Sequence, residues 1–359
     1  MSNPVLVELR RGNAVESMHR GAIAVVDADG ALRCALGDIE RPIFPRSAVK
    51  AFQALPLLTS GAADRYGLVD EELALACASH NGEAEHVRVA AAMLAKAGLD
   101  EQALECGAHW PMSDAAAREL AAVGGSPGAL HNNCSGKHAG FVCLGGLLGD
   151  ADRRWLAGYV RHEHPLMREV THALVCLTGQ DLERAPRGID GCSIPTYGMP
   201  LGALARGFAR FASGVGLAPE HAQAAKRLRA AVAAAPFMVA GTGRFDTRVM
   251  EALGARAFVK VGAEGVYGAA LPELGLGLAL KIDDGNTARA AEVVTAAAIE
   301  ALLPLDDMQA RTLRSLAEPR LANWNGLEVG RLAPTPLLRD ALAPATRRRA
   351  AGQAEAIAP

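Results

Sequence analysis

The chain has 359 residues, of which 50% are hydrophobic and 21% charged, a composition typical of a globular protein with a large buried core. At roughly 150 residues per domain, this length predicts one large domain or two closely packed ones. The formal net charge is −2, so the chain lacks the basic excess of proteins that bind nucleic-acid phosphates, and we expect no nucleic-acid partner.

In chain order, the pattern begins with strands and then becomes helical. Residues 5–36 are rich in apolar and β-branched runs and carry a turn signal at 27–30, which predicts antiparallel strands with a hairpin. Residues 47–55 have helical spacing, which Pro56 is expected to stop or kink. The middle of the chain is mostly helical, with predicted helices at 84–99, 114–122, 135–148, 165–177, 219–234 and 246–253.

Strand character returns after the helical region. The predicted elements there are three strands, a long helix and a last strand, at 257–261, 265–271, 274–282, 287–303 and 327–332. Strands at both ends with helices between them predict an α+β fold. In this fold the terminal strands form one antiparallel sheet flanked by helices, and the insert forms an all-α second lobe.

The predicted division gives 1–56 and 254–335 to the sheet lobe and 57–253 to the helical lobe, with the active site in the cleft between them. Residues 336–359 are rich in Ala, Arg and Pro, and we expect them to be a mobile tail.

The N-terminal residues show no basic segment followed by an apolar one, and no run of about 18 apolar residues occurs, so we expect neither secretion nor membrane association. The seven cysteines are an odd number scattered along the chain, which favours reduced thiols over a disulfide framework. The pattern is therefore typical of a cytoplasmic protein.

Lysines are rare in this chain, because six of the 37 cationic residues are lysines and 31 are arginines. An amine can lose its proton near neutral pH and a guanidinium cannot, so each lysine is a candidate for a chemical role. In the segment RSAVK at 46–50, Ser47 and Lys50 share one helix face, and the amine could act as base for the hydroxyl. The alternative is a helix-capping serine followed by a solvated lysine.

Two further short elements carry candidate residues. Ser79 and Asn81 form an S-x-N element, for which the alternative is an ordinary polar turn. Lys260 and Gly262 form K-x-G in an apolar strand, where a lysine is costly unless it has a partner or a lowered pKa. The alternative there is an exposed lysine on an edge strand.

In the order S-x-x-K, S-x-N and K-x-G, these elements resemble the signature of serine β-lactamases and penicillin-binding proteins. They provide an activated nucleophile, a second hydroxyl, an amide donor and a cation, which suits acyl transfer at an amide. The histidine at 80, the valine at 261 and the short gap between Ser47 and Ser79 argue against a β-lactamase itself.

A fourth element is the block HNNCSGKH at 131–138, where polar and small residues crowd the start of a predicted helix, an arrangement that suits an anion or substrate. The segment DGC at 190–192 adds a carboxylate and a second thiol. The common zinc patterns C-x-x-C and H-E-x-x-H do not occur, so the residues alone favour two buried thiols near a loop over a metal site.

Taken together, the four elements are similar to those of the L-asparaginase II family, of the rhizobial type called class 3. The likeness extends to about residue 303, and N-N-C-S-G-K-H is its most specific part. This resemblance implies hydrolysis of L-asparagine to L-aspartate and ammonia, a fold related to serine β-lactamases, penicillin-binding proteins and glutaminases, and a homodimer.

The resemblance also implies the roles of individual residues. Catalysis would use two serine–lysine pairs, which are Ser47 with Lys50 and Ser79 with Lys260. One zinc ion per chain would be bound by two thiols and a neutral amine, from Cys134, Lys137 and Cys192. The substrate would be bound by Arg46, His80, Asn81, His138 and Asp190.

The mechanistic hypothesis at this point is that Lys50 deprotonates Ser47, which attacks the side-chain amide carbon and releases ammonia before water resolves the acyl-enzyme. Ser79 is the alternative nucleophile. A glutaminase or a β-lactamase-like hydrolase would share the same elements, and a catalytically dead protein that binds a small molecule or zinc is the alternative outside enzymes. The role of Lys281 is not assigned.

Overall fold

The computed structural model describes residues 2–150 and 152–343. Its strands in chain order are β1 (Val5–Arg11), β2 (Ala14–Asp27), β3 (Leu32–Leu36), β4 (Arg187–Ile189), β5 (Pro195–Tyr197), β6 (Phe258–Val261), β7 (Val266–Leu271), β8 (Leu276–Ile282), β9 (Arg320–Ala322) and β10 (Glu328–Pro334).

Eight of these strands form one antiparallel sheet in the order β6-β7-β8-β2-β1-β10-β9, with β3 paired to β2. The N-terminal hairpin joins the C-terminal strands at two places, where β2 pairs with β8 and β1 pairs with β10. The predicted α+β fold, with a sheet built from both ends of the chain, is confirmed. The remaining strands, β4 and β5, form a separate small hairpin.

The helices are α1 (Lys50–Gln53), α2 (Leu55–Thr59), α3 (Ala62–Arg65), α4 (Asp70–Ala76), α5 (Ala84–Lys96), α6 (Asp114–Ala122), α7 (Ser135–Leu148), α8 (Arg153–Leu156), α9 (Pro165–Thr178), α10 (Leu201–Ser213), α11 (Pro219–Ala234), α12 (Phe237–Ala240), α13 (Phe245–Leu253), α14 (Glu292–Leu302) and α15 (Asp307–Ala317). A 3₁₀ turn, Arg46–Val49, precedes α1, and a π-helical turn, Thr287–Ala291, precedes α14.

Helices cover both faces of the sheet, since the consecutive residues 22–26 of β2 are all buried. Helix α10 packs on β2, β7 and β8, and α14 packs on β1, β7 and β10. Glycine allows α10 to lie close to the sheet, because a Cβ at Gly277 would stand 1.9 Å from the carbonyl oxygen of Ala205.

Most predicted helices are confirmed. Three of them, 114–122, 135–148 and 219–234, coincide with α6, α7 and α11. Pro56 does mark a break, because α1 ends at Gln53 and the proline lies in the first turn of α2, where its missing N–H is not needed.

Apart from single-turn helices, three helices among α1 to α15 were not predicted, namely α4, α10 and α15. Helix α4 is short, and α10 contains two glycines that weaken its helical signal. The polar face of α15 dominates its composition.

The structure describes only the first residues of the predicted tail at 336–359, and its mobility stays a prediction. Residues 336–343 are helical, and Leu338 and Leu342 are buried, so apolar packing holds this segment on the protein. The other residues of that prediction, 344–359, lie outside the described part of the chain. The division into lobes 1–56 with 254–335 and 57–253 stays a prediction, although α10 from the second range packs on the sheet.

Within residues 2–150 and 152–343, no helix combines the length and the apolar content that a bilayer crossing requires.

Candidate active site

Ser79 lies between two buried lysines. Its Oγ is 2.9 Å from Nζ of Lys50 and 2.8 Å from Nζ of Lys260, and the three side chains are 4%, 1% and 0% exposed. The residues belong to three separate elements: Lys50 starts α1, Ser79 follows α4, and Lys260 lies in β6. The packing therefore joins the S-x-x-K, S-x-N and K-x-G elements at one hydroxyl.

The segment that carries Ser79 is held by backbone hydrogen bonds on both sides. The N–H of Ser79 donates to Val239 O at 2.9 Å, and the N–H of Asn81 donates to Ala240 O at 2.8 Å. The N–H between them, on residue 80, donates to Asn133 O at 3.2 Å. The segment is neither helix nor strand, and these bonds fix the position of its backbone.

Ser47 is half-buried in the 3₁₀ turn before α1. The acceptors that the Lys50 amine contacts are Ala78 O, Ser79 Oγ and Asn133 O, so in the described chain it bonds to the other serine and not to Ser47. The pairing of Ser79 with Lys260 is present, whereas the pairing of Ser47 with Lys50 is absent from the hydrogen bonds of the described residues.

The turn with Ser47 lies against the end of β6. A Cβ at Gly262 would stand 2.6 Å from Pro45 O, closer than real Cβ atoms come to an oxygen. The glycine of the K-x-G element therefore allows the 3₁₀ turn to approach the strand that carries Lys260, which places both serines at the same end of the sheet.

Arg46 is in the left-handed region, with φ 51°, a conformation that costs energy for a residue with a side chain. Its Nε and Nη2 both donate to Oδ1 of Asp190, at 2.9 and 2.7 Å. Although burial opposes it, this bond holds the pKa of Asp190 below its ordinary value. The two predicted substrate ligands are thus brought together as an ion pair.

His80 is fully buried, and both of its ring nitrogens have protein partners. Nδ1 accepts from the N–H of Gly82 at 3.0 Å, so the proton is assigned to Nε2, which donates to Oγ of Ser135 at 2.9 Å. Burial lowers the pKa of His80 well below its usual range, so the ring is neutral. This arrangement leaves no ring nitrogen for a substrate and does not support the predicted binding role.

Asn81 lies in a polar network that the sequence did not indicate. Its Oδ1 accepts from Nη1 of Arg244 at 2.8 Å, and its Nδ2 donates to Glu83 at 3.1 Å. The Glu83 carboxylate also accepts from the backbone and hydroxyl of Thr242. The half-buried Arg244 therefore contacts Asn81, which lies two positions after Ser79 in the sequence. No sequence motif indicated this arginine.

Two thiols and an amine come together beside the lysine–serine cluster. Nζ of Lys137, in the first turn of α7, is 2.9 Å from Sγ of Cys192, which lies in the loop between β4 and β5. The neighbouring Cys192 and the charges of Lys50 and Lys137 hold the pKa of Cys134 well below its usual value, although burial opposes this shift. The implied zinc ligands thus converge as two sulfurs and one lysine nitrogen.

No group of three or more His, Cys, Asp and Glu side chains in 2–150 and 152–343 is arranged to bind a metal ion. The implied set differs from such a group because its third ligand is a lysine. Two sulfurs and one nitrogen are donor types that zinc accepts, and a fourth position would be open. The donor types therefore fit zinc. His138, a predicted substrate ligand, is not part of this donor set: its Nδ1 is 2.6 Å from the Tyr159 hydroxyl, and its buried Nε2 has no hydrogen-bond partner among the described residues.

The environment of Lys260 disfavours its protonated form. Burial lowers the pKa of Lys260 to about 7, with the nearby charge of Lys50 acting in the same direction and that of Asp246 against it. Near neutral pH, a substantial fraction of Lys260 is thus a neutral amine that can accept a proton.

Lys281, which the sequence left without a role, has a structural one. Its Nζ, on β8, donates to the backbone oxygens of Ile282 and of Glu264, which lies in the turn between β6 and β7. The rarity of lysine therefore pointed to three residues of the cluster and to one that only supports a turn.

The sequence missed Asp246 and Tyr267, which lie behind Lys260. Oδ1 of Asp246 accepts from the N–H of Val261 at 2.9 Å, and Oδ2 accepts from the Tyr267 hydroxyl. An aspartate in the first turn of a helix is a common helix-start residue, so its position gave no signal of a site.

No curated protein matches the chain in a sequence comparison. The model of the family described as L-asparaginase II matches residues 7–334, which is more than half of the chain and includes every residue of the cluster. The chain therefore belongs to the L-asparaginase II family and is an asparaginase-type amidohydrolase.

Proposed function

We propose that the protein hydrolyses L-asparagine to L-aspartate and ammonia by serine–lysine chemistry. The observation that carries this proposal is the position of Ser79 Oγ, within hydrogen-bond distance of two buried lysine amines. A serine hydroxyl is a weak nucleophile unless a nearby base removes its proton, and a neutral amine in a buried site is such a base. Family membership supplies the reaction class, and the cluster supplies groups for it.

The contacts favour Ser79 over Ser47 as the nucleophile. The sequence hypothesis used Lys50 as the base for Ser47, but the Lys50 amine bonds to Ser79. In the proposed acylation, the Ser79 proton passes to Nζ of Lys260 as Oγ attacks the side-chain amide carbon. The same proton then passes to the amide nitrogen, and the C–N bond breaks to release ammonia.

Deacylation uses the same groups in reverse. Water gives a proton to Lys260 as it attacks the ester carbon, and that proton returns to Ser79 Oγ when L-aspartate leaves. The Lys50 amine, which donates to Ser79 Oγ, stabilises negative charge near the hydroxyl in this scheme. Ser47 is the second hydroxyl of the site, close enough to β6 to orient the substrate or water.

The polar ends of L-asparagine are an α-ammonium and an α-carboxylate. Arg46 and Asp190 form one charged pair beside the cluster, and Asn81 with Arg244 forms another polar group. We assign substrate binding to these residues and to the free Nε2 of His138. His80 is left out because its ring nitrogens are already bonded.

Zinc is part of the proposal through Cys134, Lys137 and Cys192. A bound zinc ion would supply a fixed positive charge and Lewis-acid polarisation next to the substrate site. The contact between Nζ of Lys137 and Sγ of Cys192 supports this part of the proposal, as does the effect of Cys192 on the pKa of Cys134.

Trapping the acyl-enzyme tests the nucleophile. Intact and peptide mass spectrometry of enzyme quenched during turnover of L-asparagine should find the acyl group on Ser79, and Ser79→Ala should form none. Ser47→Ala should still form the adduct at a reduced rate. Ser213→Ala, a hydroxyl bonded to Ala209 O in α10 and remote from the lysines, is the matched control. An adduct on Ser47 would reverse the assignment.

Substrate class is tested separately by ammonia release from L-asparagine and L-glutamine, with a chromogenic β-lactam alongside. Faster turnover of glutamine or of the β-lactam would favour the related amidohydrolases. Zinc binding without ammonia release from either amide would indicate the non-enzymatic alternative. A homodimer and a cytoplasmic location belong to the same proposal, and sedimentation and cell fractionation test them.

A further inference from the structure

A buried carboxylate lies directly behind the Lys260 strand and has no part in the proposed reaction. Asp246 is 1% exposed, at the start of α13, and makes no ion pair closer than 4 Å with any described residue. Its oxygens accept from two neutral donors, the N–H of Val261 and the Tyr267 hydroxyl. Burying a carboxylate is costly, and two neutral hydrogen bonds offset only part of that cost.

A continuous set of contacts leads from this carboxylate to the serine. Asp246 Oδ1 holds the N–H of Val261, and the carbonyl oxygen of the same residue accepts from Nζ of Lys260 at 3.0 Å. Nζ of Lys260 then reaches Ser79 Oγ at 2.8 Å. Because β6 is the edge strand of the sheet, no neighbouring strand bonds to its outer side, and Asp246 takes that place. The carboxylate therefore holds Val261 in place, and the carbonyl oxygen of Val261 orients the Lys260 amine.

The charge of Asp246 also acts on Lys260. The charged and titratable groups that face Lys260 from the packed elements are Asp246 of α13, Lys50 of α1, Arg244 before α13, Cys134 before α7 and Cys77 after α4. Two of these are cations that disfavour a second positive charge on Lys260, and Asp246 has a larger favourable effect than Cys134. Around Asp246 itself stand Tyr267 of β7, Glu292 of α14 and Arg244.

We infer that Asp246 is a positioning residue for catalysis, which holds the backbone at Val261 so that the Lys260 amine meets Ser79 and which supports proton uptake by that amine with its negative charge. This inference rests on the proposed function of Lys260 as the proton acceptor. It assigns two separable contributions, one of position and one of charge.

Two substitutions separate the contributions. Asp246→Asn keeps an oxygen for the N–H of Val261 but removes the charge. It should move the acid limb of the kcat/KM profile to lower pH by about one unit and leave the high-pH plateau within roughly threefold of wild type. Asp246→Glu keeps the charge but displaces it. It should leave the limb in place and lower the plateau at least tenfold.

Glu292→Gln is the matched control, because it removes a neighbouring carboxyl that makes no bond to Val261. Burial raises the pKa of Glu292 to about 7, so this group is largely uncharged on the acid limb. The control should therefore keep the plateau and move the limb less than Asp246→Asn does.

A second measurement does not depend on the substrate. The chain has six lysines, so carbon–proton NMR spectra of [¹³C]lysine-labelled protein are simple, and Lys260→Met assigns the Lys260 signal. The titration midpoint of that signal should fall in Asp246→Asn. If it falls while wild type releases no ammonia from L-asparagine, the charge contribution of Asp246 stands and the substrate assignment fails.

The inference is overturned if Asp246→Asn leaves both the limb and the Lys260 midpoint where they are in wild type. It is also overturned if Asp246→Asn and Asp246→Glu lose activity to the same extent with unchanged limbs, since that result is a structural effect alone. Should Asp246→Asn not fold, wild-type kcat in Asp246→Glu would refute the positioning part.

Discussion

The proton affinity of Lys260 should set the pH dependence of catalysis. Full burial lowers the pKa of its amine from 10.5 to about 7. At pH 7, about half of such an amine is neutral, whereas an amine with the ordinary value would be neutral in roughly three molecules in ten thousand. The environment of Lys260 therefore raises the concentration of active base by roughly a thousandfold. This factor corresponds to about 4 kcal/mol.

We expect kcat/KM for L-asparagine to fall about tenfold per pH unit below pH 7 and to level off above it. The sign follows from the role of the neutral amine, which is lost as the pH falls through the pKa of Lys260. Initial rates of ammonia release, measured at substrate concentrations below KM between pH 5 and pH 9, give the profile. Differential scanning fluorimetry over the same range checks that the enzyme stays folded.

Lys260→Arg keeps a cation of similar length but cannot lose its proton, so it should lower kcat/KM by about 10² to 10⁴ and remove the limb near pH 7. The matched control is Lys226→Arg, which changes a lysine of α11 outside the cluster. The reasoning would be refuted by a limb above pH 9, or by a Lys260→Arg enzyme with near wild-type activity and the same profile.

Three more predictions concern the site and its stability. Gly262→Ala places a Cβ 2.6 Å from Pro45 O, so the turn must move and kcat should fall about tenfold or more. The control is Gly202→Ala, where the added Cβ meets no atom within 4 Å. An unchanged kcat in Gly262→Ala would contradict the close approach of the turn to β6. Chelation or Cys134→Ser should reduce bound zinc to well below one ion per chain in elemental analysis and lower the thermal midpoint, and equal metal content in wild type and variant would remove zinc from this position. Between about pH 7 and 10.5, folded Lys260 binds fewer protons than the same lysine in the unfolded chain. Burying the protonated amine therefore lowers the free energy of unfolding by its full amount below pH 7, and this cost disappears as the pH rises to 10.5. In urea unfolding, the free energy of unfolding of wild type should therefore rise by roughly 3–5 kcal/mol relative to that of Lys260→Met over this pH range. A difference between the two proteins that does not change with pH would refute the lowered pKa of Lys260.

Local patterns determined a large part of the secondary structure. The helices at 114–122, 135–148 and 219–234 end where the sequence predicts, because caps, prolines and apolar spacing act over a few residues. The turn at 27–30 lies between β2 and β3 as expected. Helix α10 was missed because its two glycines weaken the local helical signal.

The sequence by itself also identified most of the chemically important side chains, since the scarcity of lysine drew attention to Lys50, Lys137 and Lys260. It could not determine which hydroxyl these amines contact. Ser47 and Lys50 share a helix face by spacing, yet the Lys50 amine extends to Ser79, 29 positions along the chain, and Lys260 reaches the same oxygen from 181 positions away. Spacing constrains only neighbours along one element. The direction of a buried side chain is set by the elements packed around it, and Asp246 became visible only when β6 and α13 were seen side by side.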